Sequence, residues 1–137
     1  MITGISHACY LVSDLDRAVD FWCNKLGLRK AFDFDLRGGE VRGIFLLAGR
    51  RTFVELFEGD PVPLPPNASH KHVSFEVDDM EATVRTLRER GVDVTDIVRG
   101  GEGSYQVWVT DPDGIRIELQ QFTPQSLQVE AMERLGD

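Results

Sequence analysis

The sequence predicts an α+β fold made of two tandem modules, each with the element order β-α-β-β-β. Three observations support this prediction. The first two are an internal repeat of about sixty residues and a strand–helix–three-strand pattern in each copy. A proline-rich segment between the copies is the third, because it marks where one module ends and the next begins.

The repeat is visible when two pairs of segments are compared. The first halves are HACYLVSDLDRAVDFWCNKLGL, starting at His7, and HVSFEVDDMEATVRTLRERGV, starting at His72. The second halves are RGIFLLAGRRTFVEL (42–56) and YQVWVTDPDGIRIEL (105–119), which align without a gap and both end in Glu-Leu. Identities are few, so the evidence is the shared order of elements, with His at each start and Glu at each end.

The elements of the first module follow from hydrophobic period and turn residues. Alternation over 5–12 predicts a strand, and Ser13 with Asp16 three residues later predicts the start of a helix with a capping box. Ala18, Val19, Trp22 and Leu26 lie at helical spacing, and Gly27 suits the helix end. Three further strands are expected at about 28–35, 41–47 and 52–58.

In the second module, Asp78 is the expected cap, with Glu81 three residues later, and Gly91 ends the helix. Strands are expected at about 92–98, 104–110 and 115–122. The segment GDPVPLPPNAS (59–69) holds four prolines in eleven residues, which predicts a linker. We therefore place module one at 4–58, module two at 70–123 and a helical tail at 124–137, within one domain spanning 1–137.

Composition excludes several classes of function. The chain has 137 residues, of which 42% are hydrophobic, so it can bury a core. A net charge of −8 argues against binding to nucleic acid or to an anionic membrane surface. The start has no basic segment before an apolar run, and two cysteines form no disulfide framework, so a reduced cytoplasmic protein is expected.

The candidate site comes from polar residues on the strand faces that point away from the helices. In the last strand of each module, Val54 and Leu56, or Ile117 and Leu119, must face the helix. Glu55 and Glu118 then face the other way, as do His7 and His72. Two imidazoles and two carboxylates suit a divalent metal ion and balance its charge. Cys9, Phe45, Phe53, Phe57 and Trp108 are expected on the same faces, as pocket wall or as core.

Alone, one such histidine or glutamate is more often an ordinary polar residue; the equivalent positions in two copies favour metal binding. His70 has the same parity as His72, but nothing in module one matches it. We therefore interpret His70 as a surface or cleft-rim residue.

These residues resemble the vicinal oxygen chelate superfamily, which includes glyoxalase I, bleomycin-resistance proteins and extradiol dioxygenases. The resemblance covers residues 4 to about 123 and rests on ISHACYLVSDLDRAVDFWCNKLGL, RTFVELFEG, HVSFEVDD and VTDPDGIRIELQQF. It implies a U-shaped mixed sheet around a cup that binds one divalent metal ion: zinc, nickel, cobalt, manganese or iron. It also implies that His7, Glu55, His72 and Glu118 are the ligands.

A ligand set with both glutamates favours a lyase or isomerase of glyoxalase I (lactoylglutathione lyase) type, acting on a small oxo or hydroxy carbonyl compound. Proton transfer would then proceed through an enediolate stabilised by the metal, with Glu118 or Glu55 as the base. The resemblance also implies a homodimer. Leu11, which we place in the substrate site, stands where glyoxalase I usually has Arg, and Gly59 stands near a usual Asn. Both departures remove groups that hold glutathione.

Two alternatives stay open. One is an extradiol-type dioxygenase with iron or manganese. The other is a non-catalytic, drug-binding protein like those that confer bleomycin resistance, which generally lack the full ligand set.

Overall fold

The computed structural model describes residues 1–136, and the chain divides into two compact units. The first unit comprises residues 1–70 together with 111–115. The second comprises residues 71–110 and the chain from residue 116 onward. Each unit holds one four-stranded mixed sheet, and the two sheets have the same strand order. The predicted α+β class is thus confirmed.

The sheet of the first unit has the order β1-β4-β3-β2, with β1 parallel to β4 and the other neighbours antiparallel. Its strands are β1 (His7–Val12), β2 (Arg29–Leu36), β3 (Val41–Ala48) and β4 (Thr52–Glu58). Helix α1 (Leu15–Val19) continues into a π-helical segment, Asp20–Lys25, and packs against β4. Trp22, Leu46 and Leu56 form the fully buried centre of this unit.

The second unit repeats this arrangement with the order β5-β8-β7-β6. Its elements are β5 (Val73–Glu76), α2 (Met80–Glu89), β6 (Val98–Arg99), β7 (Tyr105–Thr110), β8 (Arg116–Gln121) and α3 (Leu127–Leu135). Helix α2 packs against β7 and β8, and Met80, Val107 and Ile117 are buried at its core. The α3 helix lies within the tail for which the sequence predicted helix.

The predicted helix starts are each wrong by one residue. Asp14, not Ser13, caps α1, because the Arg17 amide donates to its carboxylate at 2.9 Å. Asp79, not Asp78, caps α2 by accepting from the Ala82 amide at 2.9 Å. The Ser13 hydroxyl instead donates to Asp113 at 2.6 Å. Ser13 therefore makes a tertiary hydrogen bond in place of the helix cap that the local sequence pattern predicted.

The predicted strand at 92–98 is mostly irregular, and only Val98–Arg99 forms β6. At Thr95 the amide donates to the Trp108 carbonyl at 3.2 Å, but the Thr95 hydroxyl oxygen accepts from the Trp108 amide at 2.8 Å. A side chain thereby replaces a backbone acceptor at this point of the ladder. The helix of the first module also departs from ideal spacing, because the π turn buries Phe21 and leaves Val19 only half-buried.

None of the helices within residues 1–136 is long and apolar enough to cross a membrane.

Candidate metal and substrate site

His7 and Glu55 form a close pair on the first sheet. His7 begins β1 and Glu55 lies in the middle of β4, whose parallel register sets Glu55 beside Cys9 and Phe53 beside His7. This register brings His7 Nε2 to 3.0 Å from Glu55 Oε2. The side chain of Glu55 is only 13% exposed. The first sheet therefore supplies one nitrogen and one carboxylate donor at adjacent points.

His72 and Glu118 form the equivalent pair on the second sheet. His72 directly precedes β5, and Glu118 lies in β8 with Ser74 as its partner across the parallel ladder. His72 Nε2 is 3.6 Å from Glu118 Oε2, and Glu118 is buried. Each repeat thus places a His at the beginning of its first strand, or directly before it, against a Glu of its last strand.

Within residues 1–136, no group of three or more His, Cys, Asp or Glu side chains could by itself hold a metal ion. The structure therefore brings together His7 with Glu55, and His72 with Glu118, as two pairs.

An aromatic ring packs edge-on against each histidine. The Phe45 ring centroid is 5.5 Å from that of His7, and the Trp108 centroid is 4.8 Å from that of His72. Phe45 and Trp108 hold equivalent places, since they are the cross-strand partners of Glu55 and Glu118. The guanidinium of Arg116 lies 4.0 Å from the Trp108 centroid. Each histidine therefore contacts the ring that lies across the strand ladder from its glutamate.

Cys9 lies beside Glu55 and carries a protonated thiol at neutral pH. Partial burial raises the pKa of the thiol to about 11, aided by the negative charge of Glu55 and a hydrogen bond to its carboxylate. A thiol with this pKa is a poor nucleophile, since the thiolate is the reactive form. Cys9 therefore acts on Glu55 as a hydrogen-bond donor.

The remaining residues predicted to bind substrate lie in the first unit. Phe53 and Phe57 flank Glu55 along β4, and Leu11 is the cross-strand partner of Phe57. A cavity of about 580 Å³ beside β1 is lined by Cys9, Leu11, Tyr10, His70, Val62 and Ile115, among others. His70 contacts the Tyr10 ring there, with the centroids 5.7 Å apart.

Two aromatic residues of this face were not among the predicted site residues. Phe32 stacks on Phe45 at 4.8 Å between ring centroids, and Phe34 lies 5.4 Å from Phe45 and 5.1 Å from Phe57. The segment FDFDL (32–36), in which apolar residues alternate with aspartates, could have revealed them. The alternation sets Phe32 and Phe34 on one face of β2. The turn at 37–40 then brings β3 back alongside β2, so that Phe32 lies opposite Phe45 and Phe34 opposite Gly43.

With the geometry described, comparison with known proteins identifies the class. The model of the Glyoxalase/Bleomycin resistance protein/Dioxygenase superfamily matches residues 4–119. The chain therefore belongs to this superfamily, in agreement with the resemblance seen in the sequence.

The relatives carry different activities. The chain is 31% identical to a lactoylglutathione lyase of Arabidopsis thaliana over 96% of its own length, but spans only 49% of that protein. It is 27% identical to the metallothiol transferase FosB of Staphylococcus epidermidis, covering 86% of this chain and 81% of the relative.

Among solved structures, TnmS3, an antibiotic-binding protein from Streptomyces sp. CB03234, matches with a TM-score of 0.73 at 28% identity. That match covers 89% of this chain and 98% of TnmS3. The superfamily is thus shown, whereas its members' reactions differ.

Proposed function

We propose that the protein is a metal-dependent lyase or isomerase of glyoxalase I type, acting on a small oxo or hydroxy carbonyl compound. One observation carries the proposal: each repeat sets a His at or just before the start of its first strand against a Glu of its last strand, at 3.0 Å and 3.6 Å. Proton transfer beside a carbonyl needs a carboxylate base and a means of stabilising negative charge on the carbonyl oxygen. Two His–Glu pairs supply the groups for both.

The donor types of the two pairs, imidazole nitrogen and carboxylate oxygen, suit a divalent metal ion. His7, Glu55, His72 and Glu118 would hold it, since imidazole nitrogen and carboxylate oxygen together suit zinc, nickel, cobalt, manganese or iron. When bound, such an ion polarises the carbonyl of the substrate and stabilises developing negative charge on oxygen. The metallothiol transferase relative supports a metal centre on this scaffold.

The protein's own residues move the proton. One of the two glutamates takes the proton from the carbon next to the carbonyl and returns it to the neighbouring carbon. The other keeps its place beside its histidine. Both carboxylates are largely shielded from water, at 13% and 10% side-chain exposure, which strengthens their electrostatic interactions. Cys9 orients Glu55 by donating its thiol hydrogen to the carboxylate.

The lactoylglutathione lyase relative supports the reaction type, although this chain spans about half of that protein's length. Leu11 and Gly59 supply no polar side chain for glutathione, so we propose a different thiol or carbonyl partner.

The experiment begins with elemental analysis of the purified protein, which should find a divalent ion bound. Hemithioacetals made from methylglyoxal and a panel of thiols are then tested for conversion. We expect His72→Ala to lose both the ion and the turnover. His70→Ala is the matched control, because it removes a nearby histidine that belongs to neither pair, and it should keep both. A protein that binds no divalent ion and converts no member of the panel would refute the proposal.

A second candidate function is the capture of an aromatic drug without catalysis. It is favoured by the phenylalanine rings beside His7 and by the similarity to TnmS3. Turnover that needs the ion separates the two candidates, because a binding protein would retain its ligand unchanged after the ion is removed. An extradiol dioxygenase would instead consume oxygen in the presence of a catechol.

A further inference from the structure

The two His–Glu pairs lie on sheet faces of opposite character. Around His7 and Glu55, the face of the first sheet carries Leu11, Phe32, Phe34, Phe45, Phe53 and Phe57. Around His72 and Glu118, the equivalent face carries Ser74, Glu76, Gln106, Trp108, Arg116 and Gln120. The two repeats keep the same proposed ligands but differ in what surrounds them.

The five phenylalanines form one continuous surface, which we call the phenylalanine wall (Phe32, Phe34, Phe45, Phe53 and Phe57). Neighbouring ring centroids lie between 4.8 and 6.4 Å apart, within the range of favourable aromatic contact. Phe32 is 50% exposed, and the other four rings are half-buried. In β4, the buried residues Val54 and Leu56 alternate with Phe53 and Phe57 and so lie on the other face of the sheet. Helix α1 packs on β4 and covers that other face. The wall is thus an apolar surface that stays accessible.

The phenylalanine wall and the His7–Glu55 pair share neighbouring positions of the same sheet. Phe53 is the cross-strand partner of His7, and Phe45 is the partner of Glu55. A substituent on a substrate carbon that reacts beside His7 and Glu55 would therefore contact the ring of Phe45 or Phe53.

Gly43 makes the wall continuous. It lies between Phe34 and Phe57 in the strand register, and a Cβ at this position would be 2.6 Å from Phe34 Cζ and 3.0 Å from Phe57 Cε1. Any larger residue would force these two rings apart. Gly59 allows a similar approach, since a Cβ there would lie 2.8 Å from Leu11 Cδ1. Leu11, the cross-strand partner of Phe57, thus packs against Gly59, and neither position carries a charged side chain.

We propose that the substrate is an aromatic α-oxo or α-hydroxy carbonyl compound, whose aryl group packs on the phenylalanine wall while its two vicinal oxygens face the His7–Glu55 pair of the same unit. This deepens the proposed function and rests on it for the placement of the oxygens. An aryl group gains from burial against the wall, whereas a methyl group covers little of it.

The binding test uses mandelate and lactate, which present the same hydroxy-carboxylate and differ only in phenyl against methyl. Titration calorimetry of the zinc-loaded protein should show mandelate binding at least about tenfold more tightly than lactate. Phe32→Ser should reduce this ratio several-fold, because mandelate loses one of the rings on which its phenyl group packs. Tyr105→Ser, which removes an exposed aromatic residue from β7 of the second unit, is the matched control and should leave the ratio unchanged.

The kinetic test compares hemithioacetals of phenylglyoxal and methylglyoxal made with one thiol, and kcat/KM should favour the phenyl compound. Preference for mandelate without turnover of either hemithioacetal would refute the lyase activity and support the aromatic site. Turnover with equal or greater preference for the methyl compound would support the lyase activity and overturn the aromatic site. Mandelate binding that is no tighter than that of lactate also overturns it.

Discussion

At the scale of single residues, Asp111 shows how a buried charge is accommodated. Its side chain accepts from the amides of Asp113 and Ile115 at 2.9 and 2.7 Å and from the Trp22 indole at 3.3 Å. Burial nevertheless raises the pKa of Asp111, because these hydrogen bonds, which lower it, offset the burial only in part, and the nearby charge of Asp113 raises it further. The residue organises the turn that belongs to the first unit, even though it follows β7 in the chain.

We expect Asp111→Asn to lower the free energy of unfolding by about 1–2 kcal/mol at neutral pH, because the amide cannot accept from all three donors. The pH dependence has a definite sign. The folded pKa lies above the unfolded value of about 3.9, so the folded chain binds more protons between the two values. Wild-type stability therefore falls, relative to the variant, as pH rises through that interval. Urea denaturation of both proteins at several acidic pH values measures this difference, and a difference that shrinks on acidification would contradict it.

At the scale of elements, the ends of the helices depend on single side chains. Asp79 caps α2, and the acidic pair Asp78–Asp79 offers an internal comparison.

Asp79→Ala should lower the free energy of unfolding by about 1 kcal/mol, because the Ala82 amide loses its acceptor. Asp78→Ala should change it by less than about half of that amount, since Asp78 makes no capping bond in α2. Denaturant midpoints of the two variants give the comparison. Equal losses would show that the charge near the helix end, rather than the hydrogen bond, is what matters.

Most elements could be predicted because their hydrophobic period is strong. The strands around Glu55 and Glu118 alternate regularly, so the faces of Val54, Leu56, Ile117 and Leu119 follow from pattern alone. The choice between Ser13 and Asp14 as the cap of α1 could not be predicted, because Ser13 donates a hydrogen bond to Asp113, a residue 100 positions away. The irregular segment before β6 likewise depends on a bond between Thr95 and Trp108, which no local pattern encodes.

The candidate site was predictable in part for the same reason. Repeat symmetry pointed to His7, Glu55, His72 and Glu118, and the structure sets them in two pairs. Repeat symmetry does not reveal Phe32 and Phe34, because the second module has no counterpart of their aromatic pattern.

At the scale of the whole molecule, the proposed site joins two repeats through one ion. Zinc that binds only the folded state should raise the midpoint of thermal unfolding by several degrees. His7→Ala and His72→Ala should each remove nearly all of this rise, because both pairs serve the same ion. If each variant removed only about half, the pairs would bind separate ions. Scanning calorimetry with and without zinc makes the measurement, and His70→Ala should keep the full rise.

A mixture of the His7→Ala and His72→Ala proteins then shows how the two pairs meet. If a site takes one pair from each of two chains, the mixed dimer holds one intact site, and the zinc-dependent rise returns in part. If each chain completes its own site, the mixture behaves like the separate variants.

The assignment of the turn at 111–115 to the first unit has a consequence for biosynthesis. Trp22 is fully buried, and its indole N–H donates to an aspartate that leaves the ribosome almost ninety residues later. When the strands and helix of the first repeat have left the ribosome, this acceptor has not yet been synthesised. Asp113, which binds Ser13 and Arg17, is likewise synthesised later. The amino-terminal half therefore reaches its final packing only when most of the chain has been translated. The first repeat therefore completes its packing only with Asp111 and Asp113, which follow β7 of the second repeat.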